Sequence, residues 1–481
     1  MKRILTFLLL AGGTAAAQVP STTQTLEQVI ELALNQSAVA KQTQTTRDQS
    51  YWQWRTYQAN YKPQLGLQGT LPGFSRAVTP VVQQDGTTEF RAVRINNSNL
   101  SLAVSQNIGL TGGQVFIASE VQRFDDFNGG LKRYNNQPVS IGLMQPIGKF
   151  NNLRWANRIE PLRYQESQRQ YVEEREGIAQ RITELYFDVL QQQVNAEVAS
   201  QNVRANEELL RLGKERYQLG YLSQSDLLRL ELNLLNARQA MAQGQLDAQN
   251  AAVSLQSYTG LRAETLHLSV PVAAPRLVVP AELALAQARQ NRSVVLSFRR
   301  RLLQAEREVA LARGTTGLQA TLSANLGYVN QASNLWDTYA ALQNQQQVQL
   351  TFSLPLVDWG RQRSIMKTAE LTRRQVQNDV AQEELSFEQN VQVQATQINT
   401  LSEQLALATR ADSLAQQRYD IAQATYKVGR ISLTDLTIAS AEKDQARRAY
   451  ILALRAAWVA HYRLRALTLY DFERQMPLAA K

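Results

Sequence analysis

Val348-Gln349-Leu350-Thr351-Phe352-Ser353-Leu354-Pro355-Leu356-Val357-Asp358-Trp359-Gly360-Arg361 changes period in its middle. Val348, Leu350, Phe352 and Leu354 alternate with polar residues, the pattern of a strand with one apolar face. Pro355 closes that alternation. From about Arg361 to Lys427 no proline intervenes, and the apolar period becomes helical. Val380, Phe387, Val391, Ile398, Leu401, Leu405 and Ala408 keep an a/d-like spacing, interrupted by Glu384 and Gln394. That is a coiled-coil seam. At 1.5 Å per residue such a helix is about 100 Å long and needs partners alongside it.

The same passage occurs twice. Pro146 precedes Pro355 by 209 positions, and Tyr217, Gly220, Ser223, Asp226 and Leu227 recur at that offset as Tyr426, Gly429, Ser432, Asp435 and Leu436. A repeat this long duplicates a strand-plus-helix module rather than a solenoid unit. Residues 18–270 form the first repeat: a helix from Thr25 to Tyr61, strands over about 64–147 and a long helical hairpin over 151–259. A connector with Pro271, Pro275 and Pro280 spans 271–280. Residues 281–481 form the second: a helix from Ala281 to Arg313, strands over about 317–357 and a hairpin over 361–470. Asn291 and Ser293 echo Asn35 and Ser37.

Six segments alternate, around Leu65, Leu102, Ile117, Ile141, Leu322 and Leu350. Phe74 to Asn97 reads as a polar connection. A half-buried sheet in a soluble protein gives the same alternation. Two further features favour a membrane barrel, whose strands show lipid one face and water the other. The chain starts like a secretory signal over residues 1–17, with Lys2, Arg3, a short apolar run and Ala15-x-Ala17, so the mature chain is expected to start near Gln18. No later stretch has 18 consecutive apolar residues, so no transmembrane helix is expected.

The absence of cysteine excludes disulfides, thiolate metal sites and cysteine nucleophiles. The formal charge of +10 is dispersed along helical segments, without a basic stripe interleaved with aromatics, which argues against nucleic-acid binding. No Ser/His/Asp set, metal cluster or phosphate loop is evident, so neither catalysis nor a cofactor is expected. Glu173-Glu174 and Glu383-Glu384 read as solvated helix faces.

Leu354 to Arg361 and the paired Tyr-x-x-Gly-x-x-Ser-x-x-Asp-Leu turns resemble the TolC-like outer-membrane efflux family over nearly all of the mature chain, Thr25 to about Tyr470. The first strand exit, Gln145 to Phe150, keeps the proline but lacks the Asp-x-Gly-Arg form. The resemblance implies a mainly α fold with a membrane β-barrel. A homotrimer would share the barrel in outer-membrane lipid and continue it as a long α-helical coiled-coil tunnel in the periplasm. The tunnel tips would meet a periplasmic adaptor protein and, through it, an inner-membrane transporter. It also implies four strands per chain, with the extra hairpin above the membrane; six per chain is the alternative.

On that resemblance, Asp226 and Asp435 are candidates for an acidic ring at the tunnel entrance, while Ser-x-x-Asp at a helix start also reads as a capping box. Ile438 stands where some members carry a second acid. Tyr217 and Tyr426 are either core packing or ties between helices near the mouth. Leu219, Gly220, Tyr221, Val428, Gly429 and Arg430 are the candidate adaptor-docking surface, with Gly220 and Gly429 also suited to helix C-termini. Pro146, Pro355, Trp359 and Gly360 mark the strand-to-helix transitions. Trp52, Trp54, Tyr57, Tyr61, Phe150, Trp155 and Trp359 read either as a membrane-boundary belt or as packing. The implied function is a passive exit duct for efflux or type I secretion. The alternatives are an envelope enzyme and a structural periplasmic coiled coil.

Overall fold

The computed structural model describes residues 23–261, 267–271, 274 and 278–478. The signal-like start and Pro275 lie outside them. The chain is mainly helical, in two repeats that share one β-sheet. The first comprises α1 (Leu26–Gln36), α2 (Ala38–Ala59), β1 (Gln64–Thr70), β2 (Phe74–Val82), β3 (Thr88–Asn107), β4 (Gln114–Asp126), β5 (Leu131–Ile147), α3 (Asn152–Gln218) and α4 (Gln224–Thr259). The second comprises α5 (Ala281–Asn291), α6 (Ser293–Thr316), β6 (Gln319–Ala332), β7 (Gln343–Ser353), α7 (Arg361–Lys427), α8 (Leu433–Thr468) and the small β8 (Tyr470–Asp471) and β9 (Met476–Pro477). The long hairpins of the two repeats match in size: α3 and α7 each have 67 residues, α4 and α8 each have 36. Pro161 sits inside α3 without ending it.

Two expected helices are each two helices. The stretch from Thr25 to Tyr61 breaks at Ser37, whose backbone is extended and whose hydroxyl accepts from the Ala40 N–H. The stretch from Ala281 to Arg313 breaks at Arg292 in the same way. The cap of α6 comes from another element. The Ser293 N–H and hydroxyl donate to Glu173 of α3 at 2.6 and 2.8 Å, and Arg292 pairs with the same carboxylate at 3.2 Å. This corrects the solvated-face reading of Glu173. Glu383 and Glu384 are exposed, as the solvated-face reading expects, and Arg301 hydrogen-bonds Glu383 at 2.5 Å and holds its carboxyl below the usual range.

The core lies around the middle of α3. Val29, Ile182, Tyr186, Phe187, Val189 and Leu255 pack there with Leu454 of α8, so both repeats contribute. Val391, Ala395 and Ile398 of the α7 seam pack with Ala284 and Leu464. Further joints between the repeats are Arg300–Glu166 at 2.5 and 2.9 Å and the bidentate Arg465–Glu176 at 3.0 and 3.1 Å. Such pairs, little exposed, are strongly destabilising to break one side at a time.

All six expected strands form, in a sheet ordered β1-β3-β4-β5-β6-β7. The connection from Phe74 to Asn97 departs from expectation: β2 and the upper part of β3 make a ladder from Phe74↔Asn96 to Val82↔Thr88. Both β1 and β2 pair with β3, so they are one strand position interrupted at residues 71–73. There the Gly73 N–H is satisfied by Asn96 and Ser98 side chains. The sheet is therefore six positions wide. Leu65↔Val104, Val104↔Ile117, Ile117↔Ile141 and Ile141↔Leu326 place the extra strands level with the others, not above them. This corrects the four-strand expectation for the sheet itself. Its origin is a length difference between the repeats. The first residues of α1 and α5 are 255 positions apart and those of α3 and α7 are 209, so the first repeat carries 46 more residues before its long helix.

The two sheet faces differ. Leu65, Leu67, Leu102, Val104, Ile117, Ile141, Leu326, Val348, Leu350 and Phe352 share one face and are exposed. Ser101, Ser105, Asn325, Gln347, Gln349 and Thr351 point the other way, as strand alternation requires. No helix among the described residues is long and apolar enough to cross a membrane.

Candidate functional site

The residues singled out by the sequence fall at the two ends of the helical hairpins. At the sheet end, Pro146 is the second-to-last residue of β5, opposite Thr321, and Pro355 follows β7. Asp358 then organises the start of α7. Its carboxylate accepts from the Gly360 N–H at 3.1 Å and the Gln362 N–H at 2.8 Å, satisfying donors that a helix start leaves free. This is the physical content of the Asp-x-Gly-Arg signature. Gly360 takes φ +84, and Trp359 takes φ +55, where a bulky residue is strained. Trp359 is 96 % exposed. In the first repeat Asn151 replaces this device, accepting from the Arg154 N–H at 3.0 Å.

The aromatic group divides. Trp54 stacks on Tyr164 at 5.3 Å, the Tyr57 hydroxyl donates to Asn157 at 3.0 Å, and the Tyr61 hydroxyl donates to the Leu153 carbonyl at 2.6 Å. These rings join α2 to α3. Burial and the neighbouring Tyr61 hydroxyl push the Tyr57 phenol up. Trp155 lies under the Arg158 guanidinium and Phe150 under that of Arg307. Trp52 and Trp359 alone of the group are large and widely exposed.

At the far end the two turns lie side by side. Gly220 and Gly429 both take φ +78, and a Cβ on either would meet open space. Each reverses the chain after a long helix. Leu219, Tyr221 and Val428 are exposed apolar side chains, and Arg430 is exposed beside them. Ser223 and Ser432 accept from the N–H groups of Asp226 and Asp435, both at 3.1 Å. Asp435 completes a full capping box by accepting the Ser432 N–H at 3.3 Å. Asp226 instead faces Arg229 at 3.8 Å. The serine half of the capping box thus forms at both turns and the full box only at Ser432 and Asp435, and Asp435 remains exposed.

The equivalent tyrosines are not equivalent. Tyr426 is 5 % exposed and Tyr217 is 42 % exposed. The Arg216 guanidinium lies 5.3 Å from the Tyr426 ring centroid, and Lys427 pairs with Glu208 at 3.3 Å. Both contacts tie α7 to α3. Arg216 and Glu208 had no signal in the sequence, because their partners lie on the other repeat. Glu208, Tyr426 and Lys427 of these ties also line an open cleft of about 570 Å³ between the hairpins, together with Asn202, Asn206, Asn233, Gln243, Tyr419 and Asp444, among others.

A search of curated protein sequences finds no match. Solved structures align over nearly the whole chain. The outer membrane channel CmeC of Campylobacter jejuni is 16% identical with TM-score 0.66, over 95% of this chain and 87% of that one. The outer membrane protein VceC of Vibrio cholerae is 16% identical with TM-score 0.63, over 94% and 96%. The open-state outer membrane channel MtrE of Neisseria gonorrhoeae is 14% identical with TM-score 0.60, over 92% and 88%. At these identities the likeness speaks for the fold. The family model described as outer membrane efflux protein matches residues 114–261 and 284–468, which include β4 to β7 and both long hairpins. The chain belongs to the outer membrane efflux protein family.

Proposed function

We propose that three copies of this chain form a passive exit duct of a tripartite efflux or type I secretion system. The sheet closes with those of two other copies into a barrel in the outer membrane, and α3, α4, α7 and α8 line a tunnel that extends into the periplasm. An inner-membrane transporter supplies energy and cargo through a periplasmic adaptor. The observation that carries this reading is the pairing of an apolar-faced sheet with two 67-residue helices whose far turns expose Leu219, Tyr221 and Val428. An outward apolar band is what lipid requires of a barrel. Exposed apolar residues on rigid turns suit docking of a second protein.

Asp226 and Asp435 then sit around the tunnel entrance, up to six carboxylates in a trimer, favouring cations. The ties from Arg216 to Tyr426 and from Lys427 to Glu208 hold that entrance narrow. The test is migration from an outer-membrane fraction. A trimer that resists detergent and collapses to monomer on boiling supports the reading. A monomer recovered from the soluble periplasm supports a structural coiled coil instead.

A further inference from the structure

The sheet has two open edges. Among the described residues β1 pairs only with β3, and β7 only with β6. Every residue of both edge strands is exposed. In hydrocarbon an open edge leaves rows of N–H and C=O groups without partners, which the bilayer does not tolerate. The edges must meet something that supplies a strand.

We propose that the seam between neighbouring chains runs from β7 to the interrupted strand β1–β2 of the next copy, so that six strand positions per chain close an eighteen-stranded barrel. The inference rests on the trimeric duct proposed above and adds what the sheet contributes to it. Three observations favour this occupant. First, β1 leaves the helical end of the sheet and β7 returns to it, so the two meet antiparallel. Second, their faces agree. Leu65 and Leu67 on β1, and Val348, Leu350 and Phe352 on β7, belong to the same apolar face, while Gln64 and Gln68 share the polar face with Gln347, Gln349 and Thr351. Third, β4 offers β7 no edge of its own, because β3 pairs with it from Asn107↔Gln114 to Ile95↔Asp126.

The consequence is width. Barrel diameter grows roughly linearly with strand number, so eighteen strands give about 1.5 times the diameter of twelve. The added strands lie outside the residues matched by the family model, which begin at Gln114. The first repeat thus enlarges the exit without altering either helical hairpin.

The full chain contains no cysteine, so engineered pairs report without background. Leu65→Cys or Leu67→Cys on β1 is combined with Gln346→Cys, Val348→Cys, Leu350→Cys or Phe352→Cys on β7, and oxidised in outer-membrane vesicles. At least one combination is expected to shift boiled monomer to covalent dimer and trimer. A second set combines the β7 cysteines with Val115→Cys or Ile117→Cys on β4. Retained heat-modifiable trimers with cross-links from β7 to β4, or with none from β7 to β1, would overturn the seam while leaving the duct intact. Loss of the trimer from the cysteine-free chain itself would overturn both.

Discussion

Arg216 of α3 covers the ring of Tyr426 of α7 at 5.3 Å, while the sequence-equivalent Tyr217 is exposed. The duplicated turns therefore do different work. A cation over an aromatic face contributes about 0.5–1 kcal/mol at an exposed site. Tyr426→Ala also removes a buried ring, so it is expected to loosen the α7–α8 turn, and Tyr217→Ala is not. Amide hydrogen exchange over residues 426–432 checks this. Equal protection in the two variants would contradict it.

Glu173 caps α6 across the repeats. Glu173→Ala leaves the Ser293 N–H and the Arg292 guanidinium without that partner, at a cost of about 1–3 kcal/mol. Its neighbour Glu174 accepts, among the described residues, only from Gln170, so Glu174→Ala should stay within about 0.5 kcal/mol of the parent. Thermal unfolding of the detergent-solubilised protein separates the two.

Gly429 combines a left-handed backbone with open space around its Cβ position. Gly429→Asn, tolerated in that conformation, should preserve both trimer and adaptor binding. Gly429→Trp should preserve the trimer and abolish co-purification with the adaptor. Adaptor retained by the tryptophan variant would remove this turn from the docking surface.

His461 is buried between Trp458 and Tyr462, and burial, reinforced by Arg465 and opposed by Asp471, brings its pKa down from 6.5 to about 4. Because the folded value lies below the unfolded one, the unfolded chain takes up the proton first as pH falls. Stability from this group is complete above about pH 6.5 and is lost between there and about pH 4, on the order of 3 kcal/mol in all. In His461→Phe that component of the acid-induced loss should vanish. An unchanged pH profile of unfolding would contradict the assignment.

Much of this architecture was legible because period is a local property. The bounds of α7 follow from a proline-free seam that starts after Asp358-Trp359-Gly360 and stops before Gly429. The break at Ser37 was hidden, since helical spacing continues on both sides and only the extended backbone of Ser37 interrupts it. The strand β2 was hidden by its own residues: Pro80 demotes a strand, and Phe74, Val78 and Val82 are exposed with little to pack on. Glu173 could not be placed, because its partner Ser293 lies 120 residues away. The tip turns announced their capping chemistry through Ser-x-x-Asp. Which tyrosine is buried depended on the neighbouring helix.

The central claim is that this chain is a duct, and ion flow tests it most directly. Trimers purified from outer membranes and inserted into a planar lipid bilayer should give discrete, cation-preferring conductance steps, larger in Asp226→Ala/Asp435→Ala than in the parent. Trimers of either form that insert and carry no current would contradict the account.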